Sequence, residues 1–63
     1  MNNYRTTEVT ADMLRNGDRF GRRVVKSARL GQARQLVFVT FADGTSATYD
    51  KNTVFRVMRP KYA

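Results

Sequence analysis

The sequence of 63 residues contains neither cysteine nor histidine. The absence of cysteine excludes disulfide bonds and thiolate chemistry, and the absence of both residue types removes the usual ligands of a zinc site. Histidine is also the side chain best suited to proton transfer near pH 7, so Ser27 and Ser46 have no histidine to activate them. We therefore expect a protein that is not an enzyme, with no catalytic residue, no metal ion and no cofactor.

Long apolar runs are also missing. The longest run, residues 36–39, is far shorter than a membrane-spanning helix, and the polar N-terminal residues do not have the pattern of a signal peptide. The sequence contains one proline, no repeat and no low-complexity tract. These features predict a cytoplasmic protein without membrane contact, in which residues 1–63 form a single small domain and residues 1–8 and 59–63 are flexible tails.

The short chain limits the stability of the fold. Ordering each residue costs about 1.5 kcal/mol, and a chain whose residues are 41% apolar is expected to retain only a few kcal/mol of net stability. Self-association would bury more apolar surface, so a homodimer is one expected state.

Strand patterns account for most of the sequence. Residues that are β-branched or aromatic come in short runs separated by turn residues, which is typical of β-strands. Near the N-terminus, Thr10 is a candidate N-cap and Asp12 would lie in the first turn of a short helical segment between residues 9 and 18. Val9 and Leu14 are placed to pack against each other across that turn. The five predicted strands are residues 18–20, 22–30, 35–42, 45–49 and 53–58.

The clearest local signal is Asp43-Gly44, which has the composition of a two-residue type I′ turn. That turn would pair Phe38 with Tyr49, whereas a longer loop would shift every pairing by one residue and exchange the two faces of the strand. Both faces of residues 35–42 are apolar, so the register and the core face stay open. We expect most of the apolar residues in the last three strands to fill the core, namely Phe38, Phe41, Val54, Phe55, Val57 and Met58.

Short strands with tight connections and no crossover helix predict a small antiparallel barrel. Residues 14–20, Leu-Arg-Asn-Gly-Asp-Arg-Phe, resemble the "L-x-x-G-D-x-hydrophobic" opening of SH3-like barrels. Residues 41–45 and 54–57 resemble the hairpin and last strand of the Tudor-type and KOW-type members, although no aromatic cage or glycine-rich loop matches theirs. The resemblance implies an all-β, five-stranded antiparallel SH3-like barrel with one short helical turn near the N-terminus. Similarity to KOW-type modules implies RNA or ribosomal partners.

Positive charge is concentrated in one part of the chain. Twelve lysines and arginines against five acidic residues give a net charge of +7, and residues 19–34 contain six of the cations and no acid. In an SH3-like barrel the first strand lies between the second and the last, which would bring this segment beside the C-terminal cations. We predict a nucleic-acid-binding face composed of Arg19, Phe20, Arg22, Arg23, Lys26, Arg29, Arg34, Arg56, Arg59 and Lys61.

Arginine can bind a phosphate through two N–H groups and stack on a base, and Phe20, Tyr4 and Tyr62 are candidate stacking residues. The partner would be DNA or RNA, bound through phosphates with weak sequence specificity. Asp18, Asp43 and Asp50 each adjoin turn residues, so we expect them to form turns and not a metal site.

The alternative hypothesis is a small accessory protein, of the kind that phages encode, that docks on an acidic surface of a host protein and modulates it. The two hypotheses predict different surfaces. A nucleic-acid binder would place exposed aromatic rings beside its cations, whereas a protein-docking surface would expose an apolar patch such as Val25, Val54 or Met58.

Overall fold

Residues 4–61, which the computed structural model describes, form a single six-stranded antiparallel sheet. Its elements are β1 (Tyr4–Thr10), a 3₁₀ turn (Ala11–Met13), β2 (Arg19–Phe20), β3 (Arg23–Leu30), β4 (Leu36–Phe41), β5 (Ser46–Asp50) and β6 (Val54–Pro60). The strands lie side by side in the order β1-β6-β2-β3-β4-β5. The all-β prediction is confirmed, but the sheet has one strand more than predicted and is not closed into a barrel. Within residues 4–61, no helix has the length and apolar character needed to cross a membrane.

The additional strand, β1, corrects the prediction of flexible tails. It pairs with β6 along its whole length, from Tyr4 opposite Pro60 to Thr10 opposite Val54. Residues 4–8 and 59–60 are therefore strand residues, while residues 1–3 and 62–63 lie outside the described part. Strand β1 was not predicted, because charged residues interrupt it and Val9 is its only apolar inward residue.

Strand β2 lies between β3 and β6, as the comparison with SH3-like barrels implied. Arg19 pairs with Val24 of β3 on one side and with Met58 of β6 on the other. The connection from β2 to β3 is a two-residue hairpin in which Gly21 has a φ of +59°, which is the glycine position of a type II′ turn.

The helical-turn prediction is confirmed as a three-residue 3₁₀ turn. The Thr10 hydroxyl donates to the Asp12 carboxylate and does not cap a backbone N–H. Val9 and Leu14 are both buried on either side of the turn.

One face of the sheet, the inner face, contains the core. Phe20 of β2 and Tyr49 of β5 each place their ring centroid 4.8 Å from that of Phe55 in β6. Because β5 is four strands away from β6 in the sheet, this contact requires the sheet to curl around the core. The buried apolar residues are Val9, Ala11, Leu14, Val25, Val37, Val39, Phe41 and Val57.

The β4–β5 hairpin resolves the register that the sequence left open. Val39 pairs with Ala47, and the Gly44 N–H donates to the Phe41 carbonyl at 2.9 Å, which leaves a three-residue loop. Only Gly44 in that loop has a positive φ, +92°, so the type I′ prediction is wrong. The Asp43 carboxylate accepts hydrogen bonds from the Thr45 N–H and hydroxyl. These local bonds favour a turn followed by a left-handed glycine.

The longer loop decides which side chains enter the core. Val37, Val39 and Phe41 point inward, whereas Phe38 is 47% exposed on the opposite, outer face. The core prediction was therefore right for Phe41 and wrong for Phe38. In β6 the same alternation buries Val57 and half-buries Phe55, but it leaves Val54 and Met58 exposed at 62% and 42%.

A buried ion pair connects β6 to the segment before β2. Arg59 donates from Nε to Asp18 Oδ1 at 2.9 Å and from Nη2 to Asp18 Oδ2 at 2.8 Å. Asp18 is fully buried, and its Oδ2 also accepts the Arg15 backbone N–H at 2.8 Å. Arg59 Nη2 also donates to the Met13 carbonyl at 3.0 Å. One guanidinium thus ties the last strand to the 3₁₀ turn and to the start of β2.

The surroundings of Asp18 lower its pKa below the usual aspartate value of 3.8. Burial alone raises the pKa, because it disfavours the charged carboxylate. The hydrogen bonds from Arg59 and from the Arg15 N–H, together with the charges of both arginines, lower it by more. The folded protein therefore holds Asp18 as a carboxylate.

Gly44→Val is expected to lower the free energy of unfolding by more than about 1 kcal/mol, because a β-branched residue is strained at positive φ. No atom lies within 4 Å of a Cβ built at this position, so a steric clash would not contribute. Gly44→Asn is the control and should cost less, since asparagine tolerates the left-handed conformation. Urea denaturation measures both, and equal stability of the valine variant and the parent would contradict the turn assignment.

Asp18→Asn is expected to lower the free energy of unfolding by about 3 kcal/mol at pH 7, because it leaves a largely buried guanidinium without its carboxylate. Asp12→Asn, on an exposed aspartate, should change it by less than about 0.5 kcal/mol. Arg59→Met should lower the free energy of unfolding far less in the Asp18→Asn background than in the parent. Additive costs in this double-mutant cycle would contradict the pairing.

The parent should also lose stability in acid. Because the pKa of Asp18 is lower in the folded state than in the unfolded chain, its contribution is complete above the unfolded pKa and disappears as the pH falls through the folded pKa. The urea concentration at the unfolding midpoint should therefore decrease when the pH is lowered below about 4. This decrease should be smaller for Asp18→Asn than for the parent. An identical pH dependence of the two proteins would rule out this role for Asp18.

Candidate nucleic-acid interface

The predicted basic residues are divided between the two faces of the sheet. Strand alternation places Arg59 and Arg23 on the inner side, while Arg19, Arg29 and Arg56 project from the outer face. These cations therefore do not form one continuous patch, and their surroundings differ from residue to residue.

Arg59 is occupied within the fold. Its side chain is only 12% exposed, and it forms the single salt bridge found within residues 4–61. The hydrogen bonds that Arg59 donates to the Asp18 carboxylate raise the pKa of Arg59 further above its usual value, so the guanidinium stays charged and paired. The sequence placed this residue on the binding face, but the structure assigns it to the core.

Arg23 is also committed to the inner side of the sheet. Its guanidinium lies over the Phe41 ring, 4.7 Å from the ring centroid, in a cation–π contact. Its charge also contributes to lowering the pKa of Asp43, although the hydrogen bonds from Thr45 contribute most. Arg23 therefore covers one end of the core.

Phe20 does not have the predicted stacking geometry. Its ring is half-buried on the inner face, where the centroid lies 5.8 Å from that of Phe41 and 4.8 Å from that of Phe55. Of the other candidate stacking residues, Tyr4 lies with its ring centroid 4.9 Å from the Arg19 guanidinium carbon, and Tyr62 lies outside the described residues.

A β-bulge determines which cations of β3 face outward. Val25 pairs with Phe41, but the next paired residue, Ser27, lies opposite Thr40, so the alternation reverses between them. Ala28 then faces the core opposite Val39, and Arg29 projects outward opposite Phe38. Without the bulge, the same alternation would direct Arg29 toward the core.

Four exposed cations of the β2–β3 hairpin form the group that we name the basic face, which leaves out Arg23 because its guanidinium lies over the Phe41 ring. Arg22 lies in the β2–β3 turn and Lys26 in the bulge, and both are exposed. Strands β2 and β3 are paired neighbours, and alternation places Arg19 and Arg29 on the same outer face of the sheet. The members of the basic face are Arg19, Arg22, Lys26 and Arg29.

Three other predicted cations lie outside the β2–β3 hairpin. Arg56 is on the outer face of β6 opposite Glu8, a residue of the opposite charge. Lys61 follows β6 and is exposed. Arg34 is in the β3–β4 loop with a φ of +58°, a left-handed conformation that is unusual for a residue other than glycine.

The acidic residues are engaged locally and leave the basic face unneutralised. The carboxylates of Asp43 and Asp50 accept turn N–H groups of Thr45 and Asn52, as predicted. Asp12 accepts the Thr10 hydroxyl, and Asp18 holds Arg59. No residue within 4–61 forms a salt bridge to the basic face.

An exposed aromatic ring that was not predicted lies beside this face. Phe38 lies directly opposite Arg29 on the outer face, and Leu36, two residues away on the same strand face, is 45% exposed. The sequence contains a signal for this exposure, because Asp43 followed by Gly44-Thr45 is also compatible with the longer loop that directs Phe38 outward.

Comparison with known proteins finds no family model, no curated protein and no solved structure that matches this chain.

Proposed function

We propose that the protein is a non-enzymatic module that binds nucleic acid through the basic face. The observation that carries this proposal is that Arg19, Arg22, Lys26 and Arg29 are exposed on the β2–β3 hairpin without an acidic partner in the described part of the chain. The net charge of +7 adds a long-range attraction to polyanions.

Phosphate groups fit the chemistry of this face. Three of its four cations are arginines, whose planar guanidinium binds phosphate oxygens through two parallel N–H groups. Contacts to phosphates carry no sequence information, so binding is weakly sequence-specific. An aromatic ring, Phe38, is exposed beside Arg29, which is the surface expected of a nucleic-acid binder.

The alternative is docking on an acidic surface of another protein. Exposure of Val54 and Met58 on the outer face of β6, on either side of Arg56, favours it. Val25, the third residue considered for such a patch, is fully buried. Apolar residues around a cation are typical of a protein interface, so this surface defines a second candidate function, carried by a different strand from the basic face.

Replacing Arg22, Lys26 and Arg29 with glutamate is expected to abolish nucleic-acid binding, because phosphates would meet three like charges. The control replaces Arg5, Lys51 and Lys61 with glutamate, all three outside the basic face, and produces the same net charge. Fluorescence anisotropy with a labelled oligonucleotide measures binding, and thermal melting checks the fold. Equal losses in the two triple variants would indicate an effect of net charge alone and would contradict a defined face.

Binding of the parent to duplex DNA should weaken steeply with salt. The four cations of the basic face would neutralise about 4 phosphates, which gives a slope of log K against log salt concentration of about −4. A nearly flat slope would exclude binding driven by phosphates.

A pulldown from host lysate, with and without nuclease, separates the two functions, because salt also screens docking on an acidic protein. Retention of a protein partner after nuclease treatment, with loss in Arg56→Glu but not in the triple glutamate variant, would replace the nucleic-acid proposal with the alternative.

A further inference from the structure

Phe38 is an aromatic residue that the fold directs away from its own core. It lies on the middle strand of β3-β4-β5, with Arg29 opposite on one side and Thr48 opposite on the other. Its neighbours along the strand, Val37 and Val39, are fully buried, whereas Phe38 is 47% exposed. The ring is therefore displayed on the outer face of the sheet and is not needed to fill the core.

Gly31 fixes where the Phe38 ring lies. A Cβ built on Gly31 would be 2.9 Å from Phe38 Cε2 and 3.6 Å from Cζ, so the ring packs directly over the glycine backbone. The φ of Gly31 is not positive, so the backbone conformation does not explain the glycine. Its lack of a side chain explains how the ring can lie close to the sheet.

A ring held in this way is suited to stacking. An aromatic side chain has few rotatable bonds, and one that is already packed loses little conformational freedom on binding. Leu36, also exposed on this side of β4, extends the apolar surface along the strand. Around the ring, the charged residues paired with β4 on the outer face are Arg29, opposite Phe38, and Asp50, opposite Leu36, whose carboxylate accepts the Asn52 N–H.

We propose that Phe38 is a stacking platform for an unpaired base, and that the preferred ligand is single-stranded nucleic acid. This inference rests on the proposed function, because it uses the basic face to hold the phosphates. A single strand exposes flat base faces beside its phosphates, whereas a duplex keeps its bases within the stack. Arg29 belongs to the basic face and lies opposite Phe38, so a strand whose phosphates contact Arg29 brings its bases near the ring.

The absence of tryptophan from the chain provides a direct test. Phe38→Trp introduces a single indole at the proposed platform, and Val54→Trp introduces one at an exposed position on β6 as a control. Titration with an oligothymidylate should quench the fluorescence of Phe38→Trp in a saturable manner and leave that of Val54→Trp nearly unchanged. Equal quenching of both variants, or of neither, would overturn the stacking proposal.

Affinity measurements give a second readout. Phe38→Ala should weaken binding to the oligothymidylate by roughly tenfold, as expected for loss of one stacked base, while Phe38→Tyr should bind like the parent. The parent, Phe38→Ala and Phe38→Tyr should all bind an abasic oligonucleotide of the same length with the same weak affinity. Gly31→Ala should also weaken binding to the oligothymidylate, because the new methyl group displaces the ring, and the thermal midpoint reports whether the fold is retained.

The outcomes separate this inference from the proposed function. If the Arg22, Lys26 and Arg29 glutamate variant loses binding but Phe38→Ala binds like the parent, the basic face stands and the stacking platform is wrong. If duplex DNA binds as well as the single strand, the preference for single strands is wrong. If the parent binds no oligonucleotide at low salt, both proposals fail together.

Discussion

The fold depends on the bidentate pair between Asp18 and Arg59. A fully buried carboxylate is tolerated only when hydrogen bonds replace its lost hydration, and Asp18 receives them from Arg59 and from the Arg15 N–H. The pair joins residues 41 positions apart in the chain. Since the core contains few large side chains, this directional contact gives β6 a defined position that apolar packing alone would specify less sharply.

Two local irregularities then decide what the surface presents. The bulge after Val25 reverses the alternation of β3 and turns Arg29 outward. The three-residue loop closed at Gly44 does the equivalent for β4 and turns Phe38 outward. Because Arg29 and Phe38 lie opposite each other in neighbouring strands, they share one face and form a composite surface of a cation and a ring. Without the bulge, the pairing of Val25 with Phe41 would place Arg29 opposite Val37 instead.

Features that depend on local interactions could be predicted from the sequence, whereas those that depend on contacts between distant segments could not. Strand-forming runs and turn residues are local signals, so β2 to β6, the 3₁₀ turn and the turn roles of Asp43 and Asp50 could be predicted. The loop length at Gly44 depends on competition between two turns that accept the same residues, and the bulge in β3 has no local signature. The pairing of Asp18 with Arg59 joins distant segments and has no local signal. Arg59 was therefore predicted as part of the candidate site from its charge alone.

The pairing of β1 with β6 has a consequence for the order of events during synthesis. Tyr4 lies opposite Pro60, and β6 separates β1 from β2 in the sheet. The N-terminal strand therefore has no hydrogen-bonded neighbour until residues 54–60 have left the ribosome. Contacts of such high sequence separation slow folding and leave early segments unprotected. The complete sheet can therefore form only after β6 emerges, whereas the β2–β3, β3–β4 and β4–β5 pairings join consecutive strands and need no later segment.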